Sequence, residues 1–198
     1  SVVRAFTLVP DRSAEDYIAL KMGTTVLGGS FVARMNMNLR EDKGYTYGAR
    51  CGLLERFGPT VAACYTSVQS DKTGPSLVEI RKEIGDIVSS RPATADELKV
   101  FQDDEVNGYP LRFETVSALL DDQVTNWRYG LPEDWSERYL KGVQSTTADQ
   151  ANAALVAHWK PDATSWLVVG DKASIMEDLQ AFGLPIVELD ADGNPTGS

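Results

Sequence analysis

The chain has 198 residues, 42% hydrophobic and 9% aromatic, enough apolar side chain for one ordinary core and too much for a disordered or fibrous chain. There are 29 Asp and Glu against 19 Lys and Arg, a net charge of −10, so nucleic acid or an anionic membrane surface would be repelled before contact formed. His158 is the one histidine and Cys51 and Cys64 are the two cysteines; zinc catalysis uses three protein ligands around an open position, most often with histidines among them, so this chain is not expected to supply a standard zinc-enzyme site alone.

The charge is uneven. Residues 1–50 hold seven Lys or Arg and five Asp or Glu, so the whole negative excess lies beyond Arg50. The first quarter is therefore the natural place to hold a substrate carboxylate or carbonyl.

In chain order, residues 2–8 form a strand-like run that begins abruptly, without an initiator Met, and reads as the start of a piece of a longer protein. Ser13 and the acids after it predict a helix start, and Ile18, Met22 and Val26 continue one apolar face to about Leu27. Gly28 and Gly29 end that helix, as residues that tolerate positive φ do. A second helix capped by Ser30 carries the stripe Phe31, Met35 and Leu39 and stops at Lys43-Gly44. The period then changes to two. Residues 45–54 and 60–68 predict a hairpin around the loop 55–59. Helices follow over about 75–89, 94–107, 114–128, 135–144 and 147–159. A buried strand over 165–170, a helix over 172–182, a short strand over 186–189 and a polar, linker-like or frayed tail over 190–198 complete the chain. No apolar run reaches the roughly 20 residues that span a bilayer. The pattern predicts a single α+β domain over 1–198, an antiparallel β-sheet flanked by α-helices.

The informative segment is 27–48. It places Arg40 in the last turn of a helix, a tight turn at Gly44, and Tyr45 and Tyr47 on the strand that follows. Two residues apart, the tyrosines are expected on one face. A guanidinium and a phenol facing each other across the turn are both donors, suited to holding a peptide carbonyl and stabilising an oxyanion. Helix-end arginines also commonly face solvent, and strand tyrosines commonly pack in cores.

Other residues carry less. Cys51 and Cys64 fall opposite each other if the hairpin turns between Phe57 and Gly58, which allows a disulfide in an oxidising compartment. A shift of one residue would part them, and two buried free thiols are the expected state. His158 stands at a helix end, where its charge would favour the dipole. Asp103-Asp104-Glu105 and Asp121-Asp122 read as solvated helix faces, because neighbouring residues on a helix diverge.

The pattern Gly28-Gly29-x-Phe31-x-x-Arg34, then Leu39-Arg40-Glu41-x-Lys43-Gly44-x-x-Tyr47, resembles the insulinase/pitrilysin zinc peptidases, peptidase family M16, which includes the mitochondrial processing peptidase. It resembles the half of those enzymes that does not bind zinc. The resemblance implies the metallohydrolase fold of the processing-peptidase type, in which two homologous domains face each other across a chamber. One carries His-x-x-Glu-His, and the other an arginine and a tyrosine seven residues apart, as Arg40 and Tyr47 are. Neither that zinc motif nor its reverse occurs here. By this resemblance the chain is the C-terminal, substrate-binding half of a zinc metalloendopeptidase, inactive alone, and Zn²⁺ belongs to a homologous partner domain or subunit. Tyr47 would hydrogen-bond the peptide carbonyl as it becomes tetrahedral, and Arg40 would orient the backbone or a nearby carboxylate. Gly28-Gly29 resembles a shortened form of the processing peptidase's glycine-rich substrate loop, a substrate-binding role set beside the capping one. Bacterial relatives of this shape are often exported, which implies the periplasm or cell envelope. The same family includes structural paralogues in respiratory complexes, so a non-enzymatic interaction role is the alternative.

Overall fold

The structure, a computed structural model, describes residues 1–56 and 58–196. Phe57 in the hairpin loop, and Gly197 and Ser198 of the tail, lie outside the described residues.

Strand β1 (Val2–Val9) leads through a turn into α1 (Tyr17–Gly28). The helix starts three residues later than a Ser13 cap predicts. The Asp11 carboxylate takes the Ser13 N–H at 2.9 Å and folds that segment into a turn of its own. Helix α2 (Arg34–Asn36) runs directly into a π-helical stretch, Met37–Asp42. It too starts late: Phe31 lies ahead of it and is exposed, while Met35 and Leu39 are buried as the stripe requires.

The hairpin β2 (Thr46–Leu54) and β3 (Thr60–Val68) forms with the expected register, Cys51 opposite Cys64. The long helical part follows as α3 (Thr73–Ile87), α4 (Ala95–Gly108), α5 (Val116–Arg128), α6 (Trp135–Ser145) and α7 (Ala148–His158). Thr94 with Glu97 and Thr147 with Gln150 make reciprocal capping boxes that start α4 and α7. Strand β4 (Ser165–Val169) and helix α8 (Lys172–Phe182) come last. The strand expected over 186–189 is reduced to one bridge, Leu189 to Pro195, closing a tight turn that the Asp190 carboxylate holds through the Asn194 N–H at 2.8 Å.

The sheet order is β2-β3-β1-β4, antiparallel throughout, as the α+β reading requires. One face carries Val3, Ala5, Cys51, Ala62, Cys64 and Val68 into the core against the helices. The other face is open and displays Val2, Leu8, Tyr65, Leu167 and Val169. Here β4 departs from expectation. It is an edge strand of alternating exposure, and its run of apolar residues comes from lying at the margin rather than from burial on both faces.

Two close contacts fix the hairpin under the helices. Cys51 and Cys64 are joined as a disulfide across the core face, with their Cα atoms 4.0 Å apart, which corrects the expectation of free thiols. Direct opposition in the register is what brings the two sulfurs together. Gly28 lies on this pair so closely that a Cβ there would stand 2.4 Å from the Cys51 backbone nitrogen. Glycine at the end of α1 is a packing requirement of the helix on β2.

Candidate substrate-binding site

Arg40 lies within the π-helical stretch. The Lys43 N–H reaches back to the Asn38 carbonyl at 3.0 Å and the Tyr45 N–H to Leu39 at 2.9 Å. Single π-helical turns recur at functional sites because they shift one side chain out of the regular helical sequence of faces. Gly44 closes the turn at φ +65°, a conformation that side chains resist. The guanidinium of Arg40 donates to Glu41 at 2.7 Å and lies over the Phe31 ring, 4.2 Å from its centroid. It is therefore held from two sides, by charge and by a ring face.

Tyr47 is oriented differently from what alternation predicts. In β2, Ala49 and Cys51 face the core, and simple alternation would send Tyr47 there too. The register instead jumps: Ala49 pairs with Thr66 but Thr46 pairs with Val68, three residues on β2 against two on β3. That bulge turns Tyr47 outward, and it is 100% exposed. Tyr45, just before the strand, packs at the edge of the core, so the two tyrosines do not share a face.

The bulge is built by hydrogen bonds. The Gly48 N–H donates to Thr46 Oγ1 at 3.0 Å, the Thr46 hydroxyl donates to the Ser67 carbonyl at 2.6 Å, and the Thr66 hydroxyl donates to the Gly48 carbonyl at 3.0 Å. Asn36, fully buried, accepts the Ala49 N–H at 3.0 Å and donates to the Phe31 carbonyl at 2.7 Å. One side chain thus ties the loop bearing Phe31 to the strand bearing Tyr47. Nothing in the periodicity marks Asn36, although an Asn between apolar positions in a short helix is a usable sign of such a clamp. Arg34 anchors the start of α2 on α4 through a bidentate pair with Glu97, at 2.7 and 2.6 Å.

Arg40 and Tyr47 line one open cleft of about 570 Å³, together with Glu41, Gly44, Tyr45 and Gln69. Gly28 and Gly29 are not among its lining residues. Gly28 is buried on Cys51, and Gly29 ends α1 in the right-handed region, φ −76°, so positive φ is not its reason.

At the other end of β2 a second cluster surrounds a cavity of about 420 Å³. Glu105, expected in solvent, instead accepts from the Tyr139 hydroxyl and from Arg112 at 2.7 Å, and lies 3.8 Å from Lys21. Burial opposes its charge, but the Tyr139 hydroxyl and the two cations outweigh that and hold its carboxyl below the usual range. Burial pulls Lys21 down and pushes the Tyr17 and Tyr139 phenols well up, the latter two helped by Glu55 and Glu105.

The donor set does not fit zinc. No three His, Cys, Asp or Glu side chains converge among the described residues, Cys51 and Cys64 are bonded to each other, and His158 pairs with Asp16 at 2.6 Å across the ends of α7 and α1. No helix among the described residues is long and apolar enough to cross a membrane.

With this geometry in place, the comparisons are specific. A curated relative, the non-peptidase homolog YmxG of Helicobacter pylori, is 22% identical over 160 residues, 80% of this chain and 36% of that protein. The crystal structure of a peptidase M16 inactive domain from Pseudomonas fluorescens superposes with a TM-score of 0.72 at 22% identity, covering 83% of this chain and 39% of the other. An inactive peptidase domain from Bordetella parapertussis superposes at 0.75 with 16% identity, covering 84% and 90%. The chain thus spans well under half the length of its curated relative, and the likenesses to solved structures establish the fold alone. Residues 2–102, the half that holds α1, the bulged hairpin, Arg40 and Tyr47, match the family described as the peptidase M16 inactive domain, and it is to that family that the chain belongs.

Proposed function

We propose that this chain is the metal-free, substrate-binding half of a zinc metallopeptidase that hydrolyses peptide bonds, one domain of a longer protein or assembly. The observation that carries the reading is that Arg40 and Tyr47 line one open cleft, with the Tyr47 hydroxyl free in solvent on a built bulge. In this reading Tyr47 donates to the peptide carbonyl as charge develops on its oxygen, and Arg40, steadied by Glu41 and Phe31, orients the neighbouring backbone. The zinc-bearing partner supplies the metal that activates water.

The partner requirement is supported by the surfaces left open. Val116, Leu120, Val124 and Trp127 recur at helical spacing on the outer side of α5, all exposed, and the outer sheet face displays Val2, Leu8, Tyr65, Leu167 and Val169 around Arg4 and Arg50. The Cys51–Cys64 disulfide fits an oxidising compartment such as the periplasm or cell envelope.

The test is reconstitution with the zinc-bearing half and cleavage of a quenched fluorescent peptide. Tyr47→Phe and Arg40→Ala are each expected to lower the rate by about 10²–10³. Unchanged rates would remove both roles. The second reading, a non-enzymatic interaction subunit, is favoured by the name of the Helicobacter pylori relative, a non-peptidase homolog. A pair that assembles tightly yet cleaves nothing would establish that reading instead.

A further inference from the structure

The cavity between α5 and the rest of the domain lies far from the cleft. Tyr47 stands near the start of β2 and Glu55 just past its end, about 26 Å of strand at about 3.3 Å per residue. Its lining pairs three basic side chains, Arg12, Lys21 and Arg112, with three acidic ones, Glu55, Asp121 and Asp122. The cations come from the turn after β1, from α1 and from the segment Tyr109–Phe113, whereas Asp121 and Asp122 face them from α5. The cation wall also holds Glu55 beside Arg12 and, behind the lining, Glu105 beside Arg112, so the acids that stand apart from it are Asp121 and Asp122.

Arg112 is paired with Glu105 at 2.7 Å, but the other two cations are incompletely satisfied. The Lys21 ammonium stands 3.8 Å from Glu105, beyond hydrogen-bond reach, and rests 4.7 Å above the Tyr139 ring. Arg12 approaches Glu55 only to 3.4 Å, and its Nε is buried with no hydrogen-bond partner among the described residues. Buried donors left in this state cost stability until an acceptor arrives. Across the cavity, none of the ion pairs among the described residues uses Asp121 or Asp122; Asp122 accepts from Asn126 at 2.9 Å. Between the charged walls lie the rings of Tyr109, Phe113 and Tyr139.

A balanced lining favours neither an anion nor a cation alone. A ligand carrying both charges at opposite ends, with an apolar body, meets every wall. We propose that this cavity is a binding site for a small zwitterion, a dipeptide or free amino acid with apolar side chains, its carboxylate held by Lys21 and Arg12 and its ammonium by Asp121 and Asp122. The site stands independently of the peptidase reading.

Amide NMR of the full chain titrated with L-leucyl-L-leucine tests it. Saturating shifts are expected within residues 109–125 and around Lys21, with a dissociation constant on the order of 1 mM or tighter. Acetylating the amine or amidating the carboxylate of the dipeptide is expected to weaken binding at least about tenfold, as are Lys21→Met and Asp121→Asn. Asp121 lies on the exposed helix α5, so Asp121→Asn decides the matter should Lys21→Met fail to fold. Arg40→Gln should leave binding unchanged. No shifts at about 20 mM dipeptide, equal binding of a blocked dipeptide, or binding lost in Arg40→Gln would each overturn the proposal.

Discussion

The Ala49 N–H donates to Asn36 Oδ1 at 3.0 Å, and this bond joins the helix that carries Arg40 to the strand that carries Tyr47. Asn36 is fully buried and its amide also holds the Phe31 carbonyl, so the ring beneath Arg40 and the bulge that presents Tyr47 share one support. Asn36→Ala leaves a buried N–H and a carbonyl without partners. Denaturant titration should show a loss of about 2–3 kcal/mol. A loss under about 0.5 kcal/mol would mean that the clamp is not what holds the bulge.

The hairpin gives a second expectation. Intact mass and thiol titration without reductant should find no free cysteine, since Cys51 and Cys64 are bonded to each other. Replacing both by alanine is expected to cost about 3 kcal/mol, the order set by closing a loop of this length. Two titratable thiols in carefully oxidised protein would contradict the structure at this point.

Much of this architecture is legible in the residues, and the departures have definite causes. The pairing of Cys51 with Cys64 follows from counting about the turn, and helix α8 falls at 172–182 as its pattern predicts. The expected shared face of Tyr45 and Tyr47 fails because strict alternation cannot see a bulge, which depends on threonines of two strands and an asparagine from a helix. Glu105 is misread for a similar reason. On α4 alone it belongs to a run of acids, and only tertiary packing brings Tyr139, Arg112 and Lys21 to it. Strand β4 has the composition of a buried strand, but its place at the sheet edge depends on strand order, which local periodicity does not encode.

Gly28 and Gly52 separate packing from conformational freedom. A Cβ at Gly28 would meet the Cys51 nitrogen at 2.4 Å, while one at Gly52 meets nothing within 4 Å. Neither has positive φ. Gly28→Ala should therefore destabilise by about 1–3 kcal/mol through forced separation of α1 from β2. Gly52→Ala should stay within about 0.5 kcal/mol of the parent. Equal effects in thermal melts would rule out close approach as the reason for glycine at 28.

Acid should weaken the anchor of α2 on α4. The Arg34 guanidinium, with the Thr94 N–H and hydroxyl, overcomes partial burial and holds the Glu97 carboxyl down at about 2, against an ordinary value of 4.5. A depressed carboxylate stabilises the fold fully above its unfolded value and loses that contribution as pH falls from about 4.5 through about 2. Glu97→Gln should flatten the stability profile across that window while leaving its shape above it unchanged. A variant as acid-sensitive as the parent between those values would place the titrating group elsewhere.

The outer stripe of α5 predicts a dissociation between folding and assembly. Val116 and Trp127 are more than four-fifths exposed, and α5 meets the rest of the domain chiefly through the segment Tyr109–Phe113. An apolar side chain with no neighbour loses little on replacement, so Leu120→Ser with Trp127→Ser should shift the isolated chain's stability by no more than about 0.5 kcal/mol. If the stripe is covered by the partner half, the same pair of changes removes two large apolar anchors from that contact. Association measured by titration calorimetry should then weaken at least tenfold, about 1.4 kcal/mol. A variant that unfolds would show that α5 packs within this chain, and one that folds and associates normally would move the partner to another surface.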